Sequence, residues 1–545
     1  MYIDTAKSTR GDKTYTRYLL RDSYREDGKV KHRTIANLGA CSEEEIAAMK
    51  LALKHKGNLQ LLGDPSQVKL TQGKKFGATW FLKQIADHLG ITQALGQDYQ
   101  GTLALWQVFA RIIDQGSRLS AMRLSRSHAV GEVLGIDDLK KDQMYENLTW
   151  VSKNQEAIEK NLWKTHCKKT QQPPALFLYD VTSSYLEGQQ NELANYGYNR
   201  DGKKGKKQIV IGLLTSSDGT PIAVRVFEGN TVDTKTVADQ VRILAESFGV
   251  EEVTLVGDRG MLKTPQIDAL PEGFRYITAI TKPMIRTLLE KNIIQETLFD
   301  EELHEVIHEG IRYIVRCNPI RAKEIQDSRN TKLASVSKRI ADLNAYLAAH
   351  PRAKVATAKK NISEKVNRLN IQSWVDIEID EKNRAIDCKK NEEKLKEESF
   401  LDGVYVIKTD LSKDKASAKI VHDRYKDLKY VESAFRTMKT AHLEVRPIFV
   451  RKDPRTRGHV FVVMLAYLMV QELEKYWKTV DMTVQEGIDE LASLPVIEVA
   501  TSKGTCLKIP EPSSRAAPLL ALSNLIMPEV LPKVRRIVHT NKIHG

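Results

Sequence analysis

Two apolar runs that each drive straight into an aspartate constrain the fold of this chain more than any other feature. Leu176-Phe-Leu-Tyr-Asp180 and Val253-Thr-Leu-Val-Gly-Asp258 read as strands buried on both faces, each with its last residue emerging at the sheet edge. A third acidic segment, Tyr425-Lys-Asp-Leu-Lys-Tyr-Val-Glu432, has helical spacing. Three carboxylates brought together repel one another and are costly to desolvate unless cations offset them. Hard oxygen donors of this kind suit Mg2+ or Mn2+.

The rest of the chain is basic. Against 70 Asp and Glu stand 84 Lys and Arg, a net charge of +14. The excess is uneven: Arg200-Asp-Gly-Lys203-Lys204-Gly-Lys206-Lys207 is almost purely cationic, and Arg111, Arg118, Arg123 and Arg126 crowd another stretch. A single run of this kind is ordinarily a solvated surface. Several together, without a basic amphipathic helix bearing a broad apolar face, favour nucleic acid over membrane. Acidic chemistry inside a basic protein points to metal-assisted reaction on a polyanion.

Cys41, Cys167, Cys317, Cys388 and Cys506 are odd in number and scattered, which supports neither a disulfide framework nor a Cys-x-x-Cys zinc pair. The N-terminus lacks a signal-peptide pattern. The longest apolar run, Val460 to Val470, is too short to span a bilayer. These features predict a soluble, cytoplasmic, nucleoid-associated protein with reduced thiols. Gly-x-x-x-x-Gly-Lys-Ser/Thr is absent, so no nucleotide cofactor is expected.

At 545 residues three or four domains are expected. Residues 15 to 38 predict a β-hairpin about the turn Arg25-Glu-Asp-Gly-Lys. From Phe76 the period becomes helical, with Trp80, Phe81, Ile85 and Leu89 on one stripe and Leu103, Leu105, Trp106, Phe109, Ile112 and Ile113 on another. The central region predicts strands at Ala175–Tyr179, Gln208–Thr215 and Ile222–Phe227, a helix from Thr234, then the Asp258 strand and Phe274–Ile280. Three antiparallel strands, helix, strand, helix, strand is the order of an RNase H-like α/β domain, with the Asp180 and Asp258 strands adjacent at its centre. Hairpin strands near Val306 to Val315 lead to Leu333, Val336, Ile340, Leu343 and Leu347, then to Ile362, Val366 and Leu369. This spacing predicts an antiparallel helical hairpin.

The resulting division is an N-terminal β-hairpin region (1–70), a helical DNA-binding domain (71–172), and a catalytic domain in two segments (173–280 and 401–478). An insertion domain (281–400) and a helical C-terminal region (479–545) complete it.

At about 100° per residue, Tyr425, Leu428, Glu432, Arg436 and Lys439 share one helix face. The competing structural reading is an i to i+4 pair between Glu432 and Arg436. Asp233 reads as an N-cap of the Thr234 helix in preference to a metal ligand, and Asn230 as the shaper of an Asx-type turn. His166 and His442 lack metal-ligand spacing and read as ordinary polar residues.

These segments resemble the bacterial insertion-sequence DDE transposases of the insertion sequence family four superfamily, whose third acid lies in a Tyr-x2-Arg-x3-Glu-x6-Lys pattern. Tyr425, Glu432 and Lys439 match it, and Leu428 stands where arginine is expected. Asp180-Val-Thr-Ser-Ser-Tyr, Gly197-Tyr-Asn-Arg-Asp201, Gly229-Asn-Thr-Val-Asp233 and Leu255-Val-Gly-Asp-Arg-Gly260 look like successive blocks of that family. The N-terminal hairpin and Arg446-Pro-Ile look like those of its long-insertion subgroup.

The resemblance implies that Asp180, Asp258 and Glu432 hold two Mg2+ or Mn2+ ions about 4 Å apart. It further implies that Tyr425, Lys439 and Arg259 bind phosphate; at Leu428 either Arg436 or Lys429 supplies the missing cation or the DNA is positioned differently, and Arg436, one turn beyond Glu432, is the residue expected to do so. Lys203, Lys204, Lys206 and Lys207 are the expected DNA-binding turn. The function implied is cleavage of the element's terminal inverted repeats and joining to target DNA, by a homodimer in a synaptic complex. An RNase H-like nuclease without strand transfer, or an inactive DNA-binding derivative of a transposase, remain the alternatives.

Overall fold

The computed structural model describes the chain except residues 11–12, 58–68, 172–174, 249, 251, 441–442, 502–503, 532–536 and 538–545. The N-terminal strands β1 (Tyr2–Arg10), β2 (Lys13–Glu26) and β3 (Lys29–Asn37) form an antiparallel meander. β2 and β3 are the hairpin expected from the sequence. Its two-residue turn puts Asp27 at φ 51° and Gly28 at φ 74°, the pair of left-handed residues that matches the right-handed twist of the flanking strands. Ser42 caps the following helix, Glu43–Lys54, in a reciprocal capping box with Glu45.

β4 (Lys69–Lys75) leads into the helices Gly77–Leu89, Tyr99–Ile113, Arg118–Ser127 and Lys141–Thr170. Both apolar stripes lie inward: Trp80, Phe81, Ile85, Leu103, Trp106, Phe109 and Ile112 are buried.

The central structure is an eight-stranded mixed sheet. β5 (Leu176–Tyr185), β6 (Gln208–Ser216) and β7 (Pro221–Glu228) form an antiparallel meander. β8 (Val253–Gly257) then pairs parallel to β5, and β9 (Phe274–Ala279) parallel to β8. β10 (His304–His308) and β11 (Ile311–Cys317) extend this same sheet at its far edge. Between β9 and β11 lies β14 (Val404–Thr409), antiparallel to both. The helices Pro319–Ala349 and Val355–Arg368 fold back on one another and cover the small hairpin β12 (Val375–Asp380) and β13 (Ala385–Lys390). Val336, Ile340, Leu343, Leu347, Ile362 and Val366 meet Trp374 and Ile386 in a core of their own.

The helix Asp453–Tyr476 is buried almost all round, because it lies between the sheet at β7 and the helices Tyr99–Ile113 and Lys141–Thr170. One continuous core therefore spans the helical region and the sheet. Gly458 sits at a close approach between the two helices, where a Cβ would lie 2.0 Å from the Leu148 carbonyl oxygen. Across the same boundary Glu159, on the Lys141–Thr170 helix, accepts from Arg225 Nη1 at 2.8 Å.

The C-terminal region is not wholly helical, contrary to expectation. Pro495-Val-Ile-Glu-Val-Ala-Thr501 alternates β-branched residues and forms β15 (Pro495–Thr501), flanked by β16 (Gly504–Lys508) and by β4. Leu70 to Lys75 thus pair with the far end of the chain, a contact that no local pattern announces. All five cysteines are unpaired. Among the described residues no helix is long and apolar enough to cross a membrane.

Candidate active site

The parallel register of β5 and β8 runs from Leu176 opposite Thr254 to Tyr179 opposite Gly257. Asp180, still on β5, and Asp258, immediately after the end of β8, are the next residues in that register, and in-register neighbours face the same side of a sheet. β5 does not end at Asp180, as the sequence pattern suggests. It continues to Tyr185 because β6 goes on pairing with it, from Asp180 opposite Leu213 to Tyr185 opposite Gln208. Only the β8 neighbour is lost. Asp180 is consequently half-buried, while Asp258, on the turn after β8, is exposed. Each Oδ1 accepts the main-chain N–H of the following residue, Val181 and Arg259, at 2.7 Å.

Glu432 lies on the helix Leu428–Lys439, which crosses β5 and β6 and buries Leu428, Val431, Ala434, Phe435 and Met438. Leu428 is 8% exposed and packs into the core, at the position where the sequence resemblance led to an expectation of arginine. Glu432 and Arg436 are exposed. The expected single helix from Tyr425 to Lys439 is broken at Asp427: Tyr425 lies in the last turn of the preceding helix, Ala418–Lys426. Asp427 N–H is shared between the Asp423 and Arg424 carbonyls, and Tyr430 N–H bonds Asp427 O three residues back. This local tightening toward 3-10 geometry rotates Tyr425 away from a uniform helical stripe. Its hydroxyl nevertheless reaches the site, donating to Asp258 Oδ1 at 3.3 Å.

The electrostatics identify one shared acidic neighbourhood. Burial pushes the Asp180 carboxyl up to about 7, and the charges of Asp258 and Glu432 push the same way. The Val181 N–H and Arg200 oppose them without prevailing. Burial also raises the Tyr425 hydroxyl, and Asp258 adds to the shift. A cation held among the carboxylates would relieve this penalty, and all-oxygen donors fit a hard divalent ion. Among the described residues no three His, Cys, Asp or Glu side chains are drawn together into a ligand shell.

Of the neighbouring cations, Arg200 acts electrostatically on Asp180 and Arg259 on Tyr425. Arg200 donates through Nη2 to both oxygens of Asp233 at 2.5 Å, so Asp233 neither caps its helix nor joins the acidic group. A guanidinium makes the bidentate bond that a backbone N–H cannot, and Asp233 remains favourable in the first helical turn. Lys439 Nζ donates to Asp201 Oδ1 at 2.7 Å. Asp201 Oδ2 accepts from Tyr185 N–H at 3.3 Å, which ties the β5–β6 connection to the Glu432 helix. Arg446 donates to Tyr185 Oη at 2.5 Å and to the Glu444 carboxylate.

Of the lysine turn, Lys206 pairs with Glu187 at 3.1 Å, and Lys203 and Lys207 lie over Tyr185 and Tyr196. Lys204 and Arg259 are exposed. Among the described residues Arg436 has no ion-pair partner, so the competing structural pair with Glu432 is not formed.

Arg200, Asp201 and Arg446 were not assigned roles from sequence, although Gly197-Tyr-Asn-Arg-Asp201 and Arg446-Pro-Ile held the signal. Arg111 and Arg118 do not belong to a surface stripe: they are 5% and 3% exposed, and only Arg123 and Arg126 of that group face solvent. Asn230 is exposed and forms no side-chain hydrogen bond among the described residues, His166 stacks on Trp163, and His442 lies outside the described residues.

A mixed sheet presenting two aspartates from adjacent parallel strands beside a helix-borne glutamate defines an acid-bearing α/β enzyme. Residues 171–469, more than half of the chain, match the transposase DDE domain, and the protein belongs to that family. Residues 3–61 match the N-terminal domain of IS1634 family transposases, which makes the chain an insertion-sequence DDE transposase, a DNA transposase enzyme. No curated protein matches the chain. A solved piggyBac transposase synaptic complex with hairpin DNA aligns at 9% identity and a TM-score of 0.35, over 72% of this chain and 69% of that one; a likeness this weak carries no argument.

Proposed function

We propose that this transposase binds the terminal inverted repeats of its own element, cuts their ends and joins them to target DNA, with Asp180, Asp258 and Glu432 as the catalytic carboxylates. The observation that carries this reading is the in-register placement of Asp180 and Asp258 on neighbouring parallel segments, with the Glu432 helix packed across β5 and β6. The meander, helix and two parallel strands make an RNase H-like catalytic core of residues 173–280 and 401–478, interrupted by an insertion over 281–400. Residues 71–172 are its helical DNA-binding domain. The spacing of Tyr425, Glu432 and Lys439 supports a place in the Tyr-x2-Arg-x3-Glu-x6-Lys group, from which Leu428 departs.

Two Mg2+ or Mn2+ ions held by the three carboxylates would supply activation of the attacking oxygen and stabilisation of the departing 3′ oxygen. The protein's own groups do the positioning. The Tyr425 hydroxyl donates to Asp258 and fixes the orientation of its carboxylate, and the Val181 N–H does the same for Asp180. Arg436, exposed one turn beyond Glu432, is the cation that stands in for the arginine replaced by Leu428. Arg259 and Lys439 bind flanking phosphates, Lys439 by exchanging Asp201 for a phosphate oxygen. Two protomers holding two ends form the synaptic complex.

Asp180→Ala, Asp258→Ala and Glu432→Ala are each expected to abolish cleavage and joining of inverted-repeat DNA in Mg2+ while leaving DNA binding largely intact. Near-normal cleavage by any one of them removes that residue from the site. Wild-type cleavage without joining would make the protein a nuclease.

A further inference from the structure

Arg111 and Arg118 are buried where the helical region meets the segment after the Glu432 helix, and Arg118 has no carboxylate partner. Arg118 Nη2 donates to His459 Nδ1 at 2.7 Å, its only side-chain hydrogen bond among the described residues. His459 Nε2 in turn donates to the Val445 carbonyl at 3.2 Å. An imidazole nitrogen that accepts from arginine is unprotonated, so the partner of Arg118 is neutral. Arg111 donates from Nη1 to the Gln115 carbonyl at 2.7 Å and leaves a buried Nε with no partner. Glu444 is held by Arg446, and Asp114 accepts from Ser120 Oγ. Three guanidinium groups thus stand against two carboxylates that are already engaged.

A buried charge without a counterion costs several kcal/mol, and one geometry lowers that cost. Arg111, Arg118, Arg446, His459 and Ser117 line a cavity of about 70 Å3 together with the Glu444 carboxylate, which Arg446 already neutralises, and its rim carries the exposed Ile448 and Phe449. The first turn of the helix Arg118–Ser127 also opens there, and its positive end adds to the field. Burial and the neighbouring Arg111 charge already disfavour the charged form of Arg118.

We propose that this cavity is a phosphate seat, in which Arg118 and Arg111 take one backbone phosphate of DNA passing from the helical region toward the acidic site. The assignment to DNA rests on the transposase reading; the anion site itself does not.

Two readouts test it on the full-length protein. Inorganic phosphate should raise the wild-type melting temperature. In Arg118→Met, which replaces a buried unpaired charge with an apolar side chain of similar length, the anion-free protein should be as stable or more so, and the phosphate response should be lost. For a short blunt DNA duplex the variant should bind on the order of tenfold more weakly, with the slope of log affinity against log salt smaller by about 1. Ser117→Asp gives a second route if Arg118→Met does not fold. Aspartate keeps the helix cap and brings a carboxylate to Arg118, so it should stabilise the free protein and abolish the phosphate response.

An unchanged phosphate response in the variant that folds overturns the site. A lost response with an unchanged duplex salt slope overturns the DNA assignment in favour of a free anion. Neither readout needs turnover, so failure here is separable from failure of the catalytic triad.

Discussion

Asp180 is the residue on which sequence pattern and structure meet most closely, and its environment makes a pH prediction. Folded, its carboxyl titrates at about 7; unfolded, a free aspartate titrates near 3.9. Between those values the folded state holds more protons than the unfolded one, so metal-free stability falls as pH rises from about 4 to about 7. In chelator, wild type should lose melting temperature across that window, and Asp180→Asn should lose much less because it stays neutral. Mg2+ should restore wild type above pH 7 and leave Asp180→Asn nearly unmoved. Parallel melting curves for the two proteins, with and without Mg2+, would remove Asp180 from a metal-holding role. That Asp180 and Asp258 lie together was legible, since two apolar runs ending in acid in one α/β unit have few places to go. The half-burial of Asp180 was not, because it follows from β6 continuing to pair past the point where β8 stops.

At the scale of elements, helices were readable wherever one face is apolar, as in Leu333 to Leu369, because spacing of three and four residues survives any tertiary arrangement. The break at Asp427 was unreadable, because nothing in Tyr425 to Lys439 forbids a continuous helix. Gly458 carries the packing of the Asp453–Tyr476 helix against Lys141–Thr170. A Cβ there would stand 2.0 Å from the Leu148 carbonyl oxygen, so Gly458→Ala must push the helices apart in mid-core, at a cost of about 1–3 kcal/mol. Denaturant unfolding should register that loss. A change within about 0.5 kcal/mol would mean that the helices separate freely there.

For the whole molecule, basic charge against an acidic site predicts DNA affinity that falls steeply with salt. Replacing Lys203, Lys204, Lys206 and Lys207 together by alanine should flatten the slope of log affinity against log salt by about 0.9 for each phosphate that is no longer neutralised. An unchanged slope would assign the turn to free surface, held by Glu187 and the tyrosine rings. Apolar periodicity pointed to a mixed sheet with Asp180 and Asp258 on neighbouring strands, and the resemblance carried by the ordered acidic blocks pointed to the class of this protein, because those are properties of local stretches. Only the tertiary structure decided that β4 pairs with β15, that Arg200 and Lys439 are engaged by Asp233 and Asp201, and that Arg111 and Arg118 are interior. Each of those depends on which distant segment supplies a partner for a charge or a strand edge, and that choice is made by the packed core as a whole.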